Sequence, residues 1–164
     1  MAFNYFIEKE SPISKKKSLM SYKCEIIGQI GTSNKYETSL NVRVPVSSVC
    51  PCSLAISEQG AHNQRGIVKV KVKTNDFVWL EDLIDMVEKY GGSGEVYSLL
   101  KRDDEKYVTE TMFDNPKFVE DIVRDVGVCL QENKKISKYT VECTNFESIH
   151  NHNIYAKISG KEKK

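Results

Sequence analysis

The strongest constraint on the fold is a series of segments in which apolar residues recur at every second position. The longest segment starts at Tyr36 and alternates as far as Val46, and a second one, at 67–73, alternates valines with lysines. A period of two turns one side of a strand toward a core and the other toward solvent. The alternating positions are Tyr36, Thr38, Leu40, Val42, Val44, Val46, Val68, Val70 and Val72. The pattern predicts an antiparallel β-sheet with one buried face.

A further strand is predicted at 18–30. The turn-forming residues Gly31-Thr32-Ser33-Asn34 follow it, so this strand and the one that begins at Tyr36 are predicted to form a β-hairpin. Pro45 interrupts the alternation of the second strand. Because proline cannot donate a backbone hydrogen bond, we expect that strand to end near Pro45 or to lie at an edge of the sheet.

Two helices are predicted after these strands. Asp76 is a candidate N-cap for a helix that ends before Gly91, and Asn115 is a candidate N-cap for a second helix. Their apolar stripes are Leu80, Leu83, Ile84 and Val87 in the first, and Phe118, Val119, Ile122, Val123 and Val126 in the second. The last two strands are predicted at 136–146 and 153–158. The predicted class is α+β, in the order β-β-β-α-α-β-β, with an antiparallel sheet backed by two helices.

Length and composition indicate a single domain. The chain has 164 residues, of which 40% are apolar, enough for one core of ordinary size. Residues 1–17 are polar and end in three lysines, so they are predicted to form an N-terminal loop or arm rather than a packed element. Residues 18–160 are expected to form the folded module, and residues 161–164 a basic tail.

Charge and hydropathy exclude two classes of partner. The chain has 24 basic and 23 acidic residues, without the basic excess that duplex nucleic acid demands. No apolar run approaches the roughly 20 residues of a membrane span, and the N-terminus lacks a charged region followed by an apolar one. We therefore expect a cytoplasmic protein that binds neither nucleic acid nor membrane. The five cysteines, including the closely spaced Cys50 and Cys52, are expected to be free thiols.

Reactive side chains are concentrated in residues 47–66, where the periodicity disappears. Cys50, Cys52 and His62 all lie in this segment. A thiolate and an imidazole together suit a divalent cation of borderline softness, such as zinc. The alternative is a small buried cysteine and an ordinary surface histidine, because Cys50 and Cys52 are closer in sequence than the cysteines of a structural zinc knuckle.

The other two histidines, His150 and His152, lie close together near the C-terminus. On a strand the two-residue period places both on one face, so that both can approach the same substrate or metal. The alternative is a solvated turn between the last two strands. The mixed charges at 101–110, and Glu120 early in the second predicted helix, are by themselves typical of a solvated surface.

Five segments together carry a family resemblance. In order and spacing they are similar to type IB GTP cyclohydrolase I, and the similarity runs from about Phe3 to Tyr155. The segments are Cys50-Pro51-Cys52-Ser53, Gly60-Ala61-His62-Asn63-Gln64-Arg65, Glu105-Lys106-Tyr107-Val108-Thr109-Glu110, Asn115-Pro116-Lys117-Phe118-Val119-Glu120-Asp121 and Asn145-Phe146-Glu147-Ser148-Ile149-His150-Asn151-His152. The resemblance implies a tunnelling fold, in which modules join into barrels by oligomerisation and the active sites lie between modules.

The resemblance also implies an activity. Members of the family hydrolyse GTP to 7,8-dihydroneopterin triphosphate and formate, the first step toward folate-type pterins, with a divalent metal such as zinc, manganese or iron. Cys50, His62 and Glu105 resemble the metal ligands, and Cys50 is counted with His150 and His152 among the catalytic residues. One of these two histidines resembles the proton-transfer residue, a role that suits imidazole because it titrates near neutral pH.

Substrate contacts are implied in the same way. Glu120 resembles the carboxylate that anchors guanine, and a carboxylate can accept hydrogen bonds from both N1 and the 2-amino group of that base. Arg65 is a candidate contact for the triphosphate on charge alone, together with Lys101 and Arg102.

The family's members are longer and carry another tunnelling module before the matching region, so the resemblance covers their C-terminal half. A homo-oligomer, or a complex with a separately encoded N-terminal half, is therefore expected. Two other interpretations stay open. One is a nitrile reductase of queuosine synthesis, which shares the fold and uses NADPH, and the other is a non-catalytic half-subunit.

Overall fold

The computed structural model describes residues 1–30 and 36–161. Within them, six strands form one antiparallel sheet in simple chain order. The elements are β1 (Ala2–Glu10), β2 (Lys17–Ile30), β3 (Tyr36–Val49), α1 (Pro51–Ile56), β4 (Asn63–Thr74), α2 (Leu80–Tyr90), α3 (Arg102–Asp114), α4 (Val119–Glu132), β5 (Ile136–Asn145) and β6 (Ile154–Lys161). The predicted hairpin turn at 31–34, and all of the predicted basic tail except Lys161, lie outside the described residues.

The two faces of the sheet differ, which confirms the α+β class and the antiparallel sheet with one buried face. Helices α2 and α4 cover one face and close the core against it. Residues with no solvent exposure in this core are Val42, Val44, Val68, Val70, Val72, Ile84, Val87, Ile122, Val126, Leu130, Val141 and Cys143. The opposite face carries most of the charged side chains of the strands, together with the exposed apolar residues Phe6 and Leu19. Within the described residues the sheet is not closed, because β1 and β6 each pair on one side only.

The prediction of a loop or arm at 1–17 is wrong for Ala2–Glu10. This segment is strand β1, and it pairs antiparallel with β2 from Ala2↔Glu25 to Glu10↔Lys17. Its residues alternate between half-buried and exposed, and Phe3, Tyr5 and Ile7 pack against the core. The alternation of burial is therefore present along the strand, but in the sequence it is masked, because Phe6 on the exposed face stands between Tyr5 and Ile7 on the core face.

The helices depart from prediction in number and in their starts. Helices α1 and α3 are additional to the two that were predicted. Helix α2 begins at Leu80 with Trp79 as its N-cap, while Asp76 accepts a hydrogen bond from the Phe77 N–H at 2.7 Å. Helix α4 begins at Val119 rather than next to Asn115, and its N-terminus is capped by the Asp121 carboxylate.

Pro45 lies inside β3, which continues to Val49 and does not end at the proline. The pairing of β3 with β2 ends at Lys23↔Arg43, whereas its pairing with β4 continues. Two residues beyond Pro45, the Ser47 N–H points away from β4 and donates to Gly94 O at 3.3 Å. The nitrogen of Pro45 faces the same side, where no strand is paired with it, so its missing N–H costs no ladder hydrogen bond.

In the part of the chain that is described, none of the helices is both long and apolar enough to cross a membrane.

Candidate active site

Cys50 and His62 are brought together where β3 ends and β4 begins. The last pair of the two strands is Val49↔Asn63, and the Cys50 N–H donates to His62 O at 3.1 Å. Cys50 is also the N-cap of α1, since its Sγ accepts a hydrogen bond from the Ser53 N–H at 3.4 Å. The segment predicted to be functional is thus a short helical connection, and its hydrogen bonds hold Cys50 and His62 at the same end of the paired strands β3 and β4.

The imidazole of His62 is oriented by two further side chains. Its Nδ1 lies 2.9 Å from Gln64 Oε1 and 3.9 Å from Glu147 Oε2. The His62 and Glu147 side chains are only 11% and 5% exposed. The hydrogen bond with Gln64 occupies Nδ1, with the Glu147 carboxylate nearby, and this leaves Nε2 as the ring atom for a ligand or metal. Glu147 was not among the predicted site residues, although it belongs to the segment that contains the histidine pair.

His150 and His152 lie in the bend that connects β5 and β6, so the prediction that a strand aligns them is wrong. Both are exposed, as in the alternative of a solvated turn. The turn nevertheless gathers the rings: those of His150 and His152 are stacked with centroids 5.2 Å apart. The ring of His150 also lies edge-on to His62, at 6.4 Å between centroids. All three histidines of the chain therefore form one cluster.

The cluster opens into a cavity of about 270 Å³. Cys50, Cys52, His62, Glu147 and His150 line it on one side. The start of α4 closes it on the other side, with residues 117–120. Glu120, in the first turn of α4, is exposed and lines this cavity. Four of the residues to which the resemblance assigns roles thus share one cavity, namely Cys50, His62, Glu120 and His150.

Buried polar contacts hold the two sides of the cavity together. The Lys117 N–H donates to Val49 O at 3.2 Å, which attaches the segment before α4 to the end of β3. Beneath it, the Asn145 side-chain amide donates to Ser48 Oγ at 3.3 Å, and Ser48 Oγ donates to Lys117 O at 3.1 Å. Buried hydrogen bonds of this kind restrict relative movement of the elements they join.

Comparison with known proteins identifies the family. The sequence profile described as type I GTP cyclohydrolase folE2 matches residues 1–156. The chain belongs to this FolE2 family. A "GTP cyclohydrolase FolE2" from Nitrosococcus oceani is 55% identical over 96% of the chain and 58% of its own length. One from Methylobacillus flagellatus is 55% identical over the whole chain and 61% of its own length. One from Syntrophobacter fumaroxidans is 52% identical over 96% of the chain and 61% of its own length.

The chain spans about three fifths of the length of these FolE2 relatives. Five predicted residues do not line the cavity of this FolE2-family chain, namely His152, which stacks on His150, and Arg65, Lys101, Arg102 and Glu105. Arg65 is exposed, and it is on the sheet face opposite the buried Gln64 and Gly66 that neighbour it along β4. Glu105 is in the first turn of α3, exposed, with an oxygen 3.2 Å from Arg102. Neither residue lines the cavity.

The position of α3 shows why Glu105 is separated from Cys50 within one chain. The C-terminal end of α3 lies near the segment between α1 and β4, because the ring of Phe113 is next to Gly60. Glu105 is eight residues earlier, and at roughly 1.5 Å per residue this is about 12 Å along the helix axis. Its metal-ligand assignment stays a prediction.

The metal-binding potential of the FolE2-family cavity rests on two donors. A thiolate from Cys50 and an imidazole nitrogen from His62 fit a borderline-soft divalent cation, and both side chains line the cavity. No group of three His, Cys, Asp or Glu side chains in the described ranges 1–30 and 36–161 is placed to hold a metal ion. The pair therefore fits a metal but needs a further ligand.

All five cysteines are free thiols, as predicted. Burial raises the pKa of Cys24 to about 11 and that of Cys143 to about 12, which keeps both of them protonated at neutral pH. Burial also raises the pKa of Cys129. Cys50 and Cys52 are the cysteines that line the cavity, so the thiol chemistry of this chain is located there.

Proposed function

We propose that the chain takes part in the GTP cyclohydrolase I reaction, the metal-dependent hydrolysis of GTP to 7,8-dihydroneopterin triphosphate and formate. The observation that carries the proposal is the single cavity that brings together Cys50, His62, His150 and Glu120. It contains a metal-ligand pair, a proton carrier and a carboxylate that can bind a base. Membership of the FolE2 family supports the same reaction.

Cys50 and His62 would hold the divalent metal, either zinc, manganese or iron. Bound there with an open position, such a metal would supply Lewis-acid activation of the water that attacks C8 of the purine. Glu147 would keep the His62 ring oriented through Nδ1, in the way that carboxylates next to ligating histidines do. Glu105 is the proposed third ligand.

His150 and His152 would transfer the proton to the departing ring nitrogen. His150 is the better candidate, because its ring adjoins His62 and lines the cavity. The ring of His152 stacks on that of His150 and does not line the cavity. Imidazole can both hold and release a proton near neutral pH. Glu120 would bind guanine through N1 and the 2-amino group, and its place in the first turn of α4 suits an anion.

The site is proposed to be completed by assembly. Glu105 and Arg65 lie outside the cavity of their own chain, which favours a contribution to a cavity on another chain. The edge strands β1 and β6 each have one side unpaired in the described structure, which suits edge-to-edge joining into a barrel of the tunnelling-fold type. The partner is a second copy or a separately encoded N-terminal half, with this chain as the C-terminal half.

The test is to assay the purified chain for GTP turnover after chelation and after addition of zinc or manganese. We expect formate release that depends on added metal, measured together with the oligomer size by sedimentation. Formate release by a monomer would overturn the role of assembly. Absence of formate release from the chain alone and from its complex with any neighbouring gene product would overturn the reaction. NADPH oxidation with a nitrile-bearing deazapurine would instead support the reductase.

A further inference from the structure

A cavity of about 630 Å³ lies at the end of the sheet opposite the candidate active site. Its walls include the cross-strand pair of Thr38, near the start of β3, and Thr74, at the end of β4. Leu40, on the same wall, is ten residues before Cys50, about 30 Å at the rise of an extended strand. The two cavities share no lining residue. The volume is in the range of small-molecule sites, roughly 300–1,000 Å³.

Aromatic rings form much of the wall of this cavity. Between β4 and α2, Val78 is buried in the core, while its neighbours Phe77 and Trp79 are 61% and 58% exposed. The rings of Phe77 and Trp79 pack edge to face, with centroids 4.6 Å apart. Phe3 and Tyr5 of β1 form a second edge-to-face pair, at 6.4 Å. All four rings line the cavity, and their exposed area favours an apolar ligand that covers it.

Glu81 gives the cavity a negative charge in a fixed position. Its carboxylate is half-buried, and its Oε1 accepts a hydrogen bond from the Tyr5 hydroxyl. Glu81 is in the first turn of α2, where the helix dipole favours the ionised form. Within the part of the chain that is described, no donor reaches Oε2 and no cation pairs with this carboxylate. Glu81 is therefore held in place on one oxygen and available to a ligand on the other.

The charges on the wall determine which kind of ligand the cavity suits. Asp76 is a second carboxylate there, and its Oδ1 accepts the Phe77 N–H at 2.7 Å. Among residues 1–30 and 36–161, no lysine, arginine or histidine lines the cavity. An anion would be repelled by the two carboxylates, whereas a cation is attracted both by them and by the faces of the aromatic rings. A planar amidinium or guanidinium group suits the site best, because it can donate two hydrogen bonds to a carboxylate and stack on a ring.

We propose that this cavity is a second site, which binds a small organic cation with an apolar body and an amidinium or guanidinium head. The head donates hydrogen bonds to the Glu81 carboxylate, and the body covers the rings of Phe77 and Trp79. The cavity is separate from the proposed GTP site. The proposal does not depend on the cyclohydrolase reaction, and its test needs neither metal nor GTP.

Benzamidine and benzamide test the proposal, because they have nearly the same shape but only benzamidine is a cation at neutral pH. Calorimetric titration of the full chain at low ionic strength should show benzamidine binding at least about tenfold more tightly than benzamide, the effect of one hydrogen bond to a charged group. Trp79 is the only tryptophan of the chain, so its fluorescence reports whether the ligand is in this cavity. We expect the emission of Trp79 to change with the same dissociation constant.

Two variants separate the site from general charge attraction. Glu81→Gln keeps an oxygen that accepts the Tyr5 hydroxyl but removes the charge, so it should abolish most of the preference for benzamidine. Asp82→Asn is the matched control, because Asp82 is exposed in the same first turn of α2 and does not line the cavity. It should keep the full preference.

Four results would each overturn the proposal. They are no binding of benzamidine, equal binding of benzamidine and benzamide, equal weakening by Glu81→Gln and Asp82→Asn, and binding that leaves the emission of Trp79 unchanged.

Discussion

Glu147 lies beside the imidazole of His62, with its Oε2 atom 3.9 Å from Nδ1, and only 5% of its side chain is exposed. The same nitrogen is 2.9 Å from Gln64 Oε1. Both neighbours therefore approach the ring at Nδ1. Gln64 and Glu147 therefore leave Nε2 as the available nitrogen of His62.

We expect Glu147→Gln to weaken zinc binding about 10–100-fold, the range found when a residue that orients a ligating histidine is changed. Affinity is measured by competition with a chromophoric chelator. Glu132→Gln, at the exposed C-terminal end of α4, is the control and should bind zinc like the unaltered chain. Zinc affinity equal in both variants would mean that Glu147 does not orient the metal ligand.

Cys50→Ser should lower zinc affinity by at least about tenfold, because a hydroxyl does not replace the thiolate. Serine is a good N-cap and keeps an acceptor for the Ser53 N–H, so α1 should stay intact. Cys52→Ser is the matched control, since Cys52 also lines the cavity but is exposed on the helix. If Cys52→Ser removed zinc binding while Cys50→Ser retained it, the choice between the two cysteines would be wrong.

Local patterns in the sequence predict the centre of this fold well. The alternation from Leu40 to Val46, and that of the valines at 68–72, correspond to buried positions of β3 and β4. Helix α2 ends at Tyr90, where Gly91 was expected to follow it. In these segments the burial of each side chain follows the period of its own strand or helix, and the sequence of a few neighbouring residues shows that period.

Features that depend on distant contacts could not be predicted in this way. Helix α3 has a single buried residue, Asp104, and its start is held by hydrogen bonds to the loop at 11–16, where Ser14 is 90 residues away in the sequence. Glu147 enters the site because the Phe146 N–H donates to Arg65 O at 2.9 Å and extends the pairing of β5 with β4. Neither contact leaves a periodic signal. The Cys50 and His62 pair was recognisable because both residues flank one short connection.

Asp104 connects the loop between β1 and β2 to the start of α3. Its Oδ1 accepts the Ile13 and Ser14 N–H groups at 2.8 Å each, and its Oδ2 accepts the Ser14 hydroxyl at 2.6 Å and the Lys101 N–H at 2.8 Å. Burial raises the pKa of this carboxyl, but the hydrogen bonds outweigh burial and hold the pKa well below its usual range. The folded state therefore favours the ionised form.

Because the folded-state pKa of Asp104 is lowered, its stabilising effect is complete above the unfolded pKa of about 3.9 and is lost as pH falls below that value. We expect Asp104→Asn to lower the melting temperature strongly at pH 7 and to approach the unaltered chain as the pH is lowered below about 4. Thermal unfolding followed by circular dichroism across this range measures the difference. Asp103→Asn, an exposed neighbour, is the control. A melting-temperature difference that did not depend on pH would contradict the assignment.

Tyr22 provides a buried hydrogen bond whose removal is simple to interpret. Its hydroxyl, on a residue 1% exposed, donates to Glu88 Oε1 at 2.6 Å, and the other oxygen of Glu88 pairs with Lys9 at 2.8 Å. Tyr22→Phe should lower the free energy of unfolding by about 1–3 kcal/mol, because Glu88 loses one buried partner. Urea denaturation measures this. Tyr36→Phe, at an exposed position, should change stability little, and an equal loss in both variants would refute the role of the bond.

Glu120 should determine which base the cavity accepts. Guanine presents N1–H and a 2-amino group to a carboxylate, whereas hypoxanthine presents N1–H alone, so GTP should bind more tightly than ITP. Loss of one hydrogen bond to a charged group is worth about 1.5–3 kcal/mol, or roughly 10–150-fold in affinity. Glu120→Gln replaces one acceptor oxygen by a donor and should remove most of this preference.

The measurement is calorimetric titration of GTP and ITP into the zinc-loaded chain and into the Glu120→Gln variant. Glu132→Gln is again a suitable control, because it makes the same change on the same helix but at its far end, away from the cavity. We expect the control to retain the full preference for GTP. Binding rather than turnover is the proper readout, since it separates base recognition from the proton transfer assigned to His150. An unchanged ratio of GTP to ITP affinity in Glu120→Gln would show that another residue holds the base.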